Sequence, residues 1–422
     1  ERSFADEPAL PAGLEDGLIR LWQLAAAAMA KGLEDTAFYR DFSLLALNEV
    51  GGDPRVVSRT TAQLHRRLEL RARSRPLALC ASATHDTKRG EDARLRLAML
   101  SHHADEWRDL LPRLSAATRN FASGIPHPAD EYLAWQTLAA ILPPGGISDC
   151  ETRESLAGRL REYLLKALRE GKQRTSWLAP NEDYEATICD YAEALLDPDR
   201  GEAFEREMAP FAARLARDGA LASLAALALK CTAPGVPDFY QGTEFWDLTL
   251  VDPDNRRPVD YQRRARALGE LEPWIAGRVA GRARLVEELL GAWPDGRIKL
   301  YILASLLQLR RRRPKLFVQG GYELVRVEGA CADDVLAFRR RHGDEQLVVL
   351  VARVSPVLMN AERCALDAAA WGDTRCAIGD EKPRRWLELL SGRLVAGAEF
   401  RLPELLSPLP AAVLIPAGGN NH

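Results

Sequence analysis

The chain has 422 residues, with 57 Lys and Arg against 60 Asp and Glu, which gives a formal net charge of −3. Both signs are spread along the sequence, so it lacks the basic excess that a nucleic-acid or membrane-surface role requires. A hydrophobic content of 47% is sufficient for packed cores, and this length predicts two or three domains.

The sequence contains no apolar run of the roughly 18–20 residues needed to span a bilayer, so we expect no membrane partner. No secretory signal is visible, but the chain opens at Glu1 rather than Met, which leaves a lost targeting segment open. Seven cysteines are scattered without a C-x-x-C pair, as is typical of buried thiols in a reducing compartment. We therefore expect a cytoplasmic protein.

Helical spacing of apolar residues dominates up to about residue 320. The predicted helices, in chain order, cover residues 14–31, 55–75, 91–114, 129–142 and 151–170, one helix opened by Asn181, and one from Gly201 to about Lys230. Two short apolar segments bounded by breakers, 76–83 and 236–240, are predicted strands.

From residue 322 the apolar pattern changes to alternation. Strands are predicted at 322–327, 334–340, 346–354, 386–390 and 411–415, separated by Gly and Asp turns. This pattern favours a small antiparallel sandwich. A strand-rich tail behind a body of strands and helices makes two domains the simplest prediction, with a large helical insertion between the two body strands.

A crowded polar cluster follows the first predicted strand. His85, Asp86, Lys88 and Arg89 come directly after 76–83, and polar side chains at the carboxyl end of a strand lie at the mouth of α/β barrels. A carboxylate beside cations stays ionised, which suits a hydroxyl-rich ligand or a positively charged transition state. The alternative is a helix cap with a solvated charge cluster, and composition alone leaves both interpretations open.

Two further stretches combine acids, amides and aromatic residues. They are "MAKGLEDTAFYR" (29–40), followed by "NEVGGDP" (48–54), and "PGVPDFYQGTEFW" (234–246). Flat aromatic faces stack on the C–H surfaces of sugars while polar groups bind hydroxyls, so these stretches indicate carbohydrate binding. A rigid Pro/Gly turn with core aromatics is the alternative, and it remains plausible for Phe239 and Phe245.

These motifs carry a resemblance to known enzymes. "SATHDTKR" resembles the fourth sequence region of the α-amylase superfamily, where His-Asp ends the seventh barrel strand, and "PGVPDFYQGTE" resembles the eighth-strand region. The blocks "MAKGLEDTAFYR", "LNEVGGDP", "RTSWLAPNEDYE" and "LVDPDNRRPVDY" are more particular. Together they resemble the maltooligosyltrehalose synthases, the (1→4)-α-D-glucan 1-α-D-glucosylmutases, from about residue 29 to 260 and more loosely over 306–325.

The resemblance implies a multidomain α/β fold. We expect the C-terminal part of a (β/α)8 barrel with a large helical insertion, followed by a small antiparallel β domain. Residues 1–90 would hold barrel-derived helices and the seventh-strand site segment, and 91–230 the mostly helical insertion. Residues 231–320 would hold the eighth-strand segment and closing helices, and 321–422 the C-terminal β domain.

The resemblance also implies a reaction that converts the reducing-end α-1,4 linkage of a maltooligosaccharide into an α,α-1,1 linkage with net retention. The family is expected to use an Asp nucleophile and a Glu acid/base on earlier barrel strands, and neither pattern precedes Met29. We therefore expect the C-terminal part of a longer enzyme, inactive when isolated, with the missing N-terminal part as its partner. The chemistry needs no cofactor, and no metal-ligand spacing is evident.

By the same resemblance, Asp86 would be the third catalytic carboxylate and His85 would hold a hydroxyl of the same sugar. Lys88 and Lys31 are assigned to the reducing-end glucose. A histidine bonded to backbone is the alternative for His85, and a surface role is nearly as plausible for Lys31.

Other candidates are weaker. Arg89 is expected to pair with Asp86 or with an acid such as Glu34, so its role could be structural. Cleft walls, with core packing as the equal alternative, are predicted at Tyr39, Trp177, Tyr240 and Gln241. Asp35 and Glu49 do not end a strand-like run and are not assigned as the missing carboxylates.

Two competing functions remain at this point. One is a hydrolase of the same superfamily that acts on α-glucans or maltooligosyl trehalose, against which Lys88-Arg89 and residues 29–39 argue. The other is a non-catalytic carbohydrate-binding fragment, which the absence of the two other carboxylates favours for the chain itself.

Overall fold

The computed structural model describes residues 13–121, 126–147, 149–378 and 384–417. Its α-helices are α1 Leu14–Ala28, α2 Thr61–Ser74, α3 Glu91–Met99, α4 Ala104–Thr118, α5 Pro128–Ile141, α6 Cys150–Gly171, α7 Glu182–Leu196, α8 Glu202–Thr232, α9 Tyr261–Ala276, α10 Arg282–Gly291, α11 Arg297–Arg312, α12 Pro314–Val318 and α13 Leu402–Leu405. Its strands are β1 Leu79–Cys80, β2 Val236–Pro237, β3 Gly321–Leu324, β4 Arg326–Glu328, β5 Val335–His342, β6 Glu345–Ala352, β7 Arg375–Ala377, β8 Arg384–Glu388, β9 Leu394–Gly397, β10 Glu399–Arg401 and β11 Ala411–Pro416.

Several helices, α2, α5, α6, α7 and α9, begin where a side chain caps the first turn. The Asn181 side chain accepts from the Tyr184 amide at the start of α7, and Asp149 does the same for Thr152 at the start of α6. Gly201 precedes α8 as predicted. The single predicted helix over 91–114 is wrong, because α3 ends at Met99 and a 3₁₀ turn over Leu100–His102 separates it from α4.

The helical body is held together where α3 crosses α8. Gly219 of α8 lies against α3 so closely that a Cβ there would be 2.9 Å from Cα of Arg96. The buried Arg96 guanidinium donates to the carbonyl oxygens of Ala140, at 3.3 Å, and Leu142, at 2.6 Å, which lie at the end of α5. Burial lowers the pKa of Arg96 to about 10, so it remains charged at neutral pH and joins α3 to α5.

Strands β1 and β2 form a parallel pair, with Leu79 opposite Val236 and Cys80 opposite Pro237. Both are shorter than the predicted 76–83 and 236–240. The amides of Val236 and Asp238 donate to the carbonyls of Ala78 and Cys80 at 3.0 and 3.2 Å, and beyond these bonds the chain turns into loops. Parallel strands leave their sheet at the same edge. The loops after β1 and β2 therefore begin side by side, and the described residues add no third strand to this sheet.

The predicted antiparallel strands of the C-terminal region are confirmed, except that the single strand predicted over 322–327 is wrong, because β3 and β4 divide this segment between two sheets. A six-stranded sheet has the order β3-β5-β6-β11-β8-β9, and a three-stranded sheet has the order β10-β7-β4. The sequence pattern missed β7, β9 and β10, which are only three or four residues long and too short for a clear alternation. The C-terminal region thus consists of helix-flanked antiparallel sheets.

Two arginines, one from the six-stranded sheet and one from helix α11, bind the segment that connects α8 to β2. Arg340 of β5 is buried and donates to backbone carbonyls that include Thr232 at 3.3 Å and Gly320 at 2.9 Å. Arg310 of α11 donates to the carbonyls of Cys231 and Gly235, each at 3.0 Å. Both side chains therefore bind the turn that leads from α8 into β2, and the β sheets help to place β2.

Helix α1 and strand β1 expose apolar side chains. Helix α1 has no buried residue, and its exposed side chains include Leu21, Trp22 and Leu24. Leu79 of β1 is 71% exposed although it lies in a strand. Several large apolar side chains exposed on one helix are typical of an interface. In the described part of the chain no helix has both the length and the apolar character to cross a bilayer.

The α3–α8 crossing gives a stability prediction. Replacing Gly219 by Ala gains about 1 kcal/mol of helix propensity, but it forces α8 away from Arg96, a strain of roughly 1–3 kcal/mol. The control is Gly158→Ala in α6, where a Cβ meets nothing within 4 Å and only the propensity gain applies. In urea unfolding we expect G219A to be less stable than G158A by about 1–3 kcal/mol. Equal stability of the two variants would contradict the close crossing.

Candidate functional site

The loop after β1 presents His85 and Asp86 to solvent while the following residues, 87–90, are buried. Thr87 Oγ1 donates to the Thr84 carbonyl at 2.9 Å, and the Asp86 amide donates to Thr84 Oγ1 at 3.2 Å. From the loop after β2, the Asn255 side chain donates to the His85 carbonyl at 3.1 Å. The exposed carboxylate therefore stands on a backbone that is fixed on both sides.

Glu49 binds the buried part of the same loop. Its carboxylate accepts from the Lys88 amide at 2.8 Å and the Arg89 amide at 3.3 Å, and it pairs with Arg94 at 3.1 Å. The lone pairs of Glu49 are occupied by backbone and guanidinium donors. This carboxylate accordingly has a structural role, in agreement with leaving it unassigned as a catalytic acid/base.

Lys31 and Lys88 share one carboxylate, that of Asp35. The Lys88 ammonium, 3% exposed, donates to Asp35 Oδ1 at 2.9 Å and lies 5.3 Å from the centre of the Tyr39 ring. Lys31, whose side chain is 80% exposed, contacts Asp35 Oδ2 at 2.5 Å. Burial works to raise the pKa of Asp35, but hydrogen bonds and attraction from both lysines outweigh it and lower the pKa.

Other acidic groups besides Asp35 affect the pKa of the exposed Lys31. Its pKa is raised, first by the hydrogen bond and attraction of Asp35, and further by Glu170 and Asp86. The loop after β1 and the turn after α1 meet where Lys88 binds Asp35, and Asp86 lies near enough to act electrostatically on Lys31. This proximity agrees with the assignment of the two motifs to one site.

The expected pairing of Arg89 with Asp86 or Glu34 is wrong. The loop directs the Arg89 guanidinium inward, where it is buried and donates to the Tyr163 hydroxyl at 2.5 Å and the Leu45 carbonyl at 3.3 Å. Glu34 instead accepts from the Gly51 amide at 2.9 Å. Arg89 therefore holds the loop against α6 from the interior. Its role is structural, as the sequence analysis allowed.

The four predicted cleft-wall residues differ in burial: Tyr39 packs in the interior, Tyr240 is half-buried, and Gln241 and Trp177 are exposed. Tyr39 is buried beneath Lys88, and burial raises the pKa of its hydroxyl well above the usual value. Tyr240 is half-buried and Gln241 is exposed directly after β2. Gln241 lines a cavity of about 320 Å³ together with Asn255, the residue that holds the His85 backbone. Trp177 is half-exposed, and its indole N–H donates to Glu170 at 3.1 Å.

A buried charge network lies behind the loop, at the start of α3. The ammonium of Lys299, 1% exposed, donates to Glu91 and Asp92 at 2.7 Å each and to the Phe245 carbonyl at 3.1 Å. Lys230 of α8 pairs with Glu91 at 3.0 Å, and Ser82 at the end of β1 donates to the same carboxylate. We refer to Ser82, Glu91, Asp92, Lys230 and Lys299 as the α3 charge network.

The members of this network differ in protonation energetics. Burial raises the pKa of Asp92, and Lys299 offsets this only in part. For Glu91 burial acts in the same direction, but the attraction of Lys299 and Lys230 prevails and lowers the pKa. Burial disfavours the charge on Lys299, yet its two carboxylate partners raise its pKa. The lysine is therefore held charged at neutral pH.

Comparisons with known proteins identify relatives over nearly the whole chain. A Mycobacterium tuberculosis protein named as a maltooligosyl trehalose synthase is 35% identical over 397 residues, 94% of this chain and 45% of that protein. The structure of maltooligosyltrehalose synthase from Arthrobacter ramosus matches with a TM-score of 0.72 and 34% identity, over 92% of this chain and 45% of that one. A structure from Sulfolobus tokodaii, described as a hypothetical maltooligosyl trehalose synthase, matches at 0.71 and 27% identity, over 94% and 47%.

The chain is related to the maltooligosyltrehalose synthases. The resemblance predicted from the motifs is thereby confirmed. The chain spans about half the length of the curated relatives it matches. No model of a known protein family matches the sequence. Similarity to the synthases extends through the C-terminal sheets, beyond the motifs that first indicated it.

The α3 charge network gives a second stability prediction. Lys299→Met leaves Glu91 and Asp92 buried without their main partner, so we expect a loss of about 3–5 kcal/mol at pH 8 in chemical unfolding. The exposed pair Arg284–Glu288 provides the control, since Arg284→Met should cost less than about 1 kcal/mol.

The loss in K299M should be smaller at pH 5 than at pH 8. Without Lys299 the folded-state pKa of Asp92 rises further above its unfolded value of about 3.9. Between these two pKa values the folded form holds a proton that the unfolded form lacks, so stability falls as pH rises. A loss that does not depend on pH, or one no larger than in R284M, would contradict the assigned network.

Proposed function

We propose that this chain is part of a glucosylmutase that converts the reducing-end α-1,4 linkage of a maltooligosaccharide into an α,α-1,1 linkage, forming maltooligosyl trehalose. The proposal rests on one observation above the others. In a relative of the maltooligosyltrehalose synthases, Asp86 stands exposed on a loop that hydrogen bonds hold in place, and Lys88 of the same loop binds Asp35, the partner of Lys31. The chain matches about half the length of its relatives, so the complete reaction is part of the proposal.

Asp86 supplies a fixed negative charge at the reacting sugar. Retaining glycosidases pass through a transition state that resembles an oxocarbenium ion, and hydrogen bonds to ring hydroxyls strengthen as it forms. Asp86 accepts from the hydroxyls next to the anomeric carbon and stabilises the positive charge electrostatically. His85 binds a hydroxyl of the same sugar. Because the loop is already ordered, no energy is spent on organising it during the reaction.

Lys31 binds the glucose at the reducing end, and Lys88 supports it indirectly. Lys31 is exposed and reaches the sugar directly, whereas Lys88 is buried and acts through Asp35, which it shares with Lys31. The glycosidic bond breaks to give a glycosyl-enzyme and a free glucose. That glucose turns and its anomeric hydroxyl attacks the glycosyl carbon, so a C1–O–C1 linkage forms and the nucleophile leaves. Water must be excluded throughout, since otherwise hydrolysis competes.

The nucleophile and the acid/base belong to the part of the relatives that lies outside the region matched by this chain. Such a portion would dock on the exposed apolar side chains of α1 and on the uncovered edge of β1, because apolar helix faces and open strand edges need a partner. Docking there completes the (β/α)8 barrel of which β1 and β2 form adjacent strands. The partner is therefore the N-terminal part of the same enzyme.

Asp86→Asn tests the catalytic assignment in the protein assembled with that N-terminal part. With maltopentaose as substrate, we expect kcat for the non-reducing product to fall by about 10²–10³-fold, as loss of one transition-state interaction does. Asp105→Asn, at an exposed carboxylate paired with Arg108 on α4, should retain full activity. A rise in reducing ends in place of non-reducing product would indicate a hydrolase, and unchanged kcat in D86N would refute the role of Asp86.

The docking face is tested by co-purification with the N-terminal part. Trp22→Glu on α1 introduces a charge into the apolar face, and we expect it to reduce recovery of the complex at least tenfold. Val357→Glu serves as the control, since Val357 is 76% exposed, against 64% for Trp22, but lies in the C-terminal region. Equal recovery of both variants would show that α1 does not form the interface.

A further inference from the structure

The loop between α6 and α7 places two large apolar side chains in solvent. Leu178 is 99% exposed, and Trp177 beside it is 52% exposed. Unlike the exposed residues of α1, these two lie on a loop with an extensive set of polar anchors. The anchoring indicates that the loop is built to hold Trp177 in one orientation.

The loop is anchored at its start and at its end. Arg174 makes a two-point ion pair with Asp130, whose side chain is fully buried. The Asn181 amide donates to Thr175 Oγ1 at 3.0 Å, and Asn181 also caps α7. A paired, buried carboxylate is costly to release, so the loop between these points has little freedom.

The Trp177 ring is itself held by two charged neighbours. The Arg169 guanidinium lies 4.9 Å from the ring centre, and Arg169 is fixed by two hydrogen bonds to Glu185 at 2.9 and 2.6 Å. At the ring edge, the indole N–H donates to Glu170 at 3.1 Å. Arg169 and Glu170 therefore set the plane of the indole, while half of its surface stays open.

The anchored ring lies close to the proposed sugar site. Gly171, next to Glu170, packs so tightly on Tyr39 that a Cβ would be 2.6 Å from the Tyr39 carbonyl oxygen. The Arg40 side chain donates to the Gly171 carbonyl at 2.6 Å. Glu170 also raises the pKa of Lys31. One carboxylate thus contacts the indole and acts electrostatically on the exposed lysine of the site.

We propose that Trp177 is a stacking platform for a glucosyl unit of the α-glucan chain that lies beyond the units bound at Asp86 and Lys31. A flat indole with one open face suits the C–H surface of a pyranose ring, and its fixed orientation lowers the entropy lost on binding. Glu170 and Arg169 are positioning residues for the ring. The inference rests on the proposed function, because it takes the α-glucan as the ligand.

The test measures binding of glucose, maltotriose and maltopentaose to the chain by calorimetry. Trp177→Ala should weaken maltopentaose binding about tenfold, as loss of one aromatic contact does, and should leave glucose binding within twofold of the unaltered chain. Trp177→Phe should retain most of the affinity for maltopentaose. The control is Leu178→Ala, which removes the neighbouring exposed side chain and should change no affinity more than twofold.

Three results would overturn the platform. They are unchanged maltopentaose affinity in W177A, an equal loss for glucose and maltopentaose, and no binding of maltopentaose to the unaltered chain at millimolar concentration. The proposed reaction fails differently, through the products formed by the assembled protein. A length-dependent loss in W177A combined with reducing products would keep the platform and reject the glucosylmutase.

Discussion

The contact on which the rest of the site depends is the ammonium of Lys299 between Glu91 and Asp92. Burying three charges is expensive, and the expense is offset only when each group is paired and hydrogen-bonded. Here the lysine reaches two carboxylates and the Phe245 carbonyl, while Lys230 and Ser82 complete Glu91. The network joins α11, α8, the end of β1 and the loop after β2 at the point where α3 begins.

The site in front of this network has two layers. The lower layer holds the buried residues Lys88, Arg89 and Tyr39. Lys88 pairs with Asp35 and lies over the Tyr39 ring, and Arg89 binds the Tyr163 hydroxyl, whereas the Tyr39 hydroxyl and Arg89 Nε have no hydrogen-bond partner among the described residues. The upper layer presents Asp86 and Lys31 to solvent. Lys88 binds Asp35, and Arg89 binds the Tyr163 hydroxyl and the Leu45 carbonyl, so neither cation is bound to Asp86. An exposed carboxylate on an ordered loop is a preorganised electrostatic group, which is the property that transition-state stabilisation needs.

The sequence was informative where structure is decided locally. Helix α7 begins after Asn181 because its side chain caps the first turn, and the spacing of apolar residues located α1, α5, α6 and α8 to within three residues. The polar cluster after β1 was located by the same reasoning. Motif resemblance then grouped Lys31 with Asp86, which spacing alone does not do.

What the sequence left open depends on contacts between distant residues. Nothing near Arg89 indicates that its guanidinium turns inward to Tyr163, 74 positions away. Likewise, Glu91 and Asp92 look like ordinary first-turn acids, and their partner Lys299 lies 208 and 207 positions along the chain. The roles of Glu49, Asn255 and Glu170 were missed for the same reason. A lysine within the apolar run around residue 299 was the one available signal of a buried ion pair, since such a residue is rarely buried unpaired.

Helix α1 and the loop that carries Trp177 both expose apolar side chains, but they differ in how these side chains are held. This difference separates their functions. On α1 the apolar residues project from a helix without a buried residue, so their positions are set only when a partner covers them. Trp177, in contrast, is already fixed by Arg169 and Glu170 while half of its ring is bare. A surface that binds another protein chain can be ordered by the large area it buries. A small sugar buries little area and cannot supply that ordering energy, so its binding surface has to be ordered beforehand.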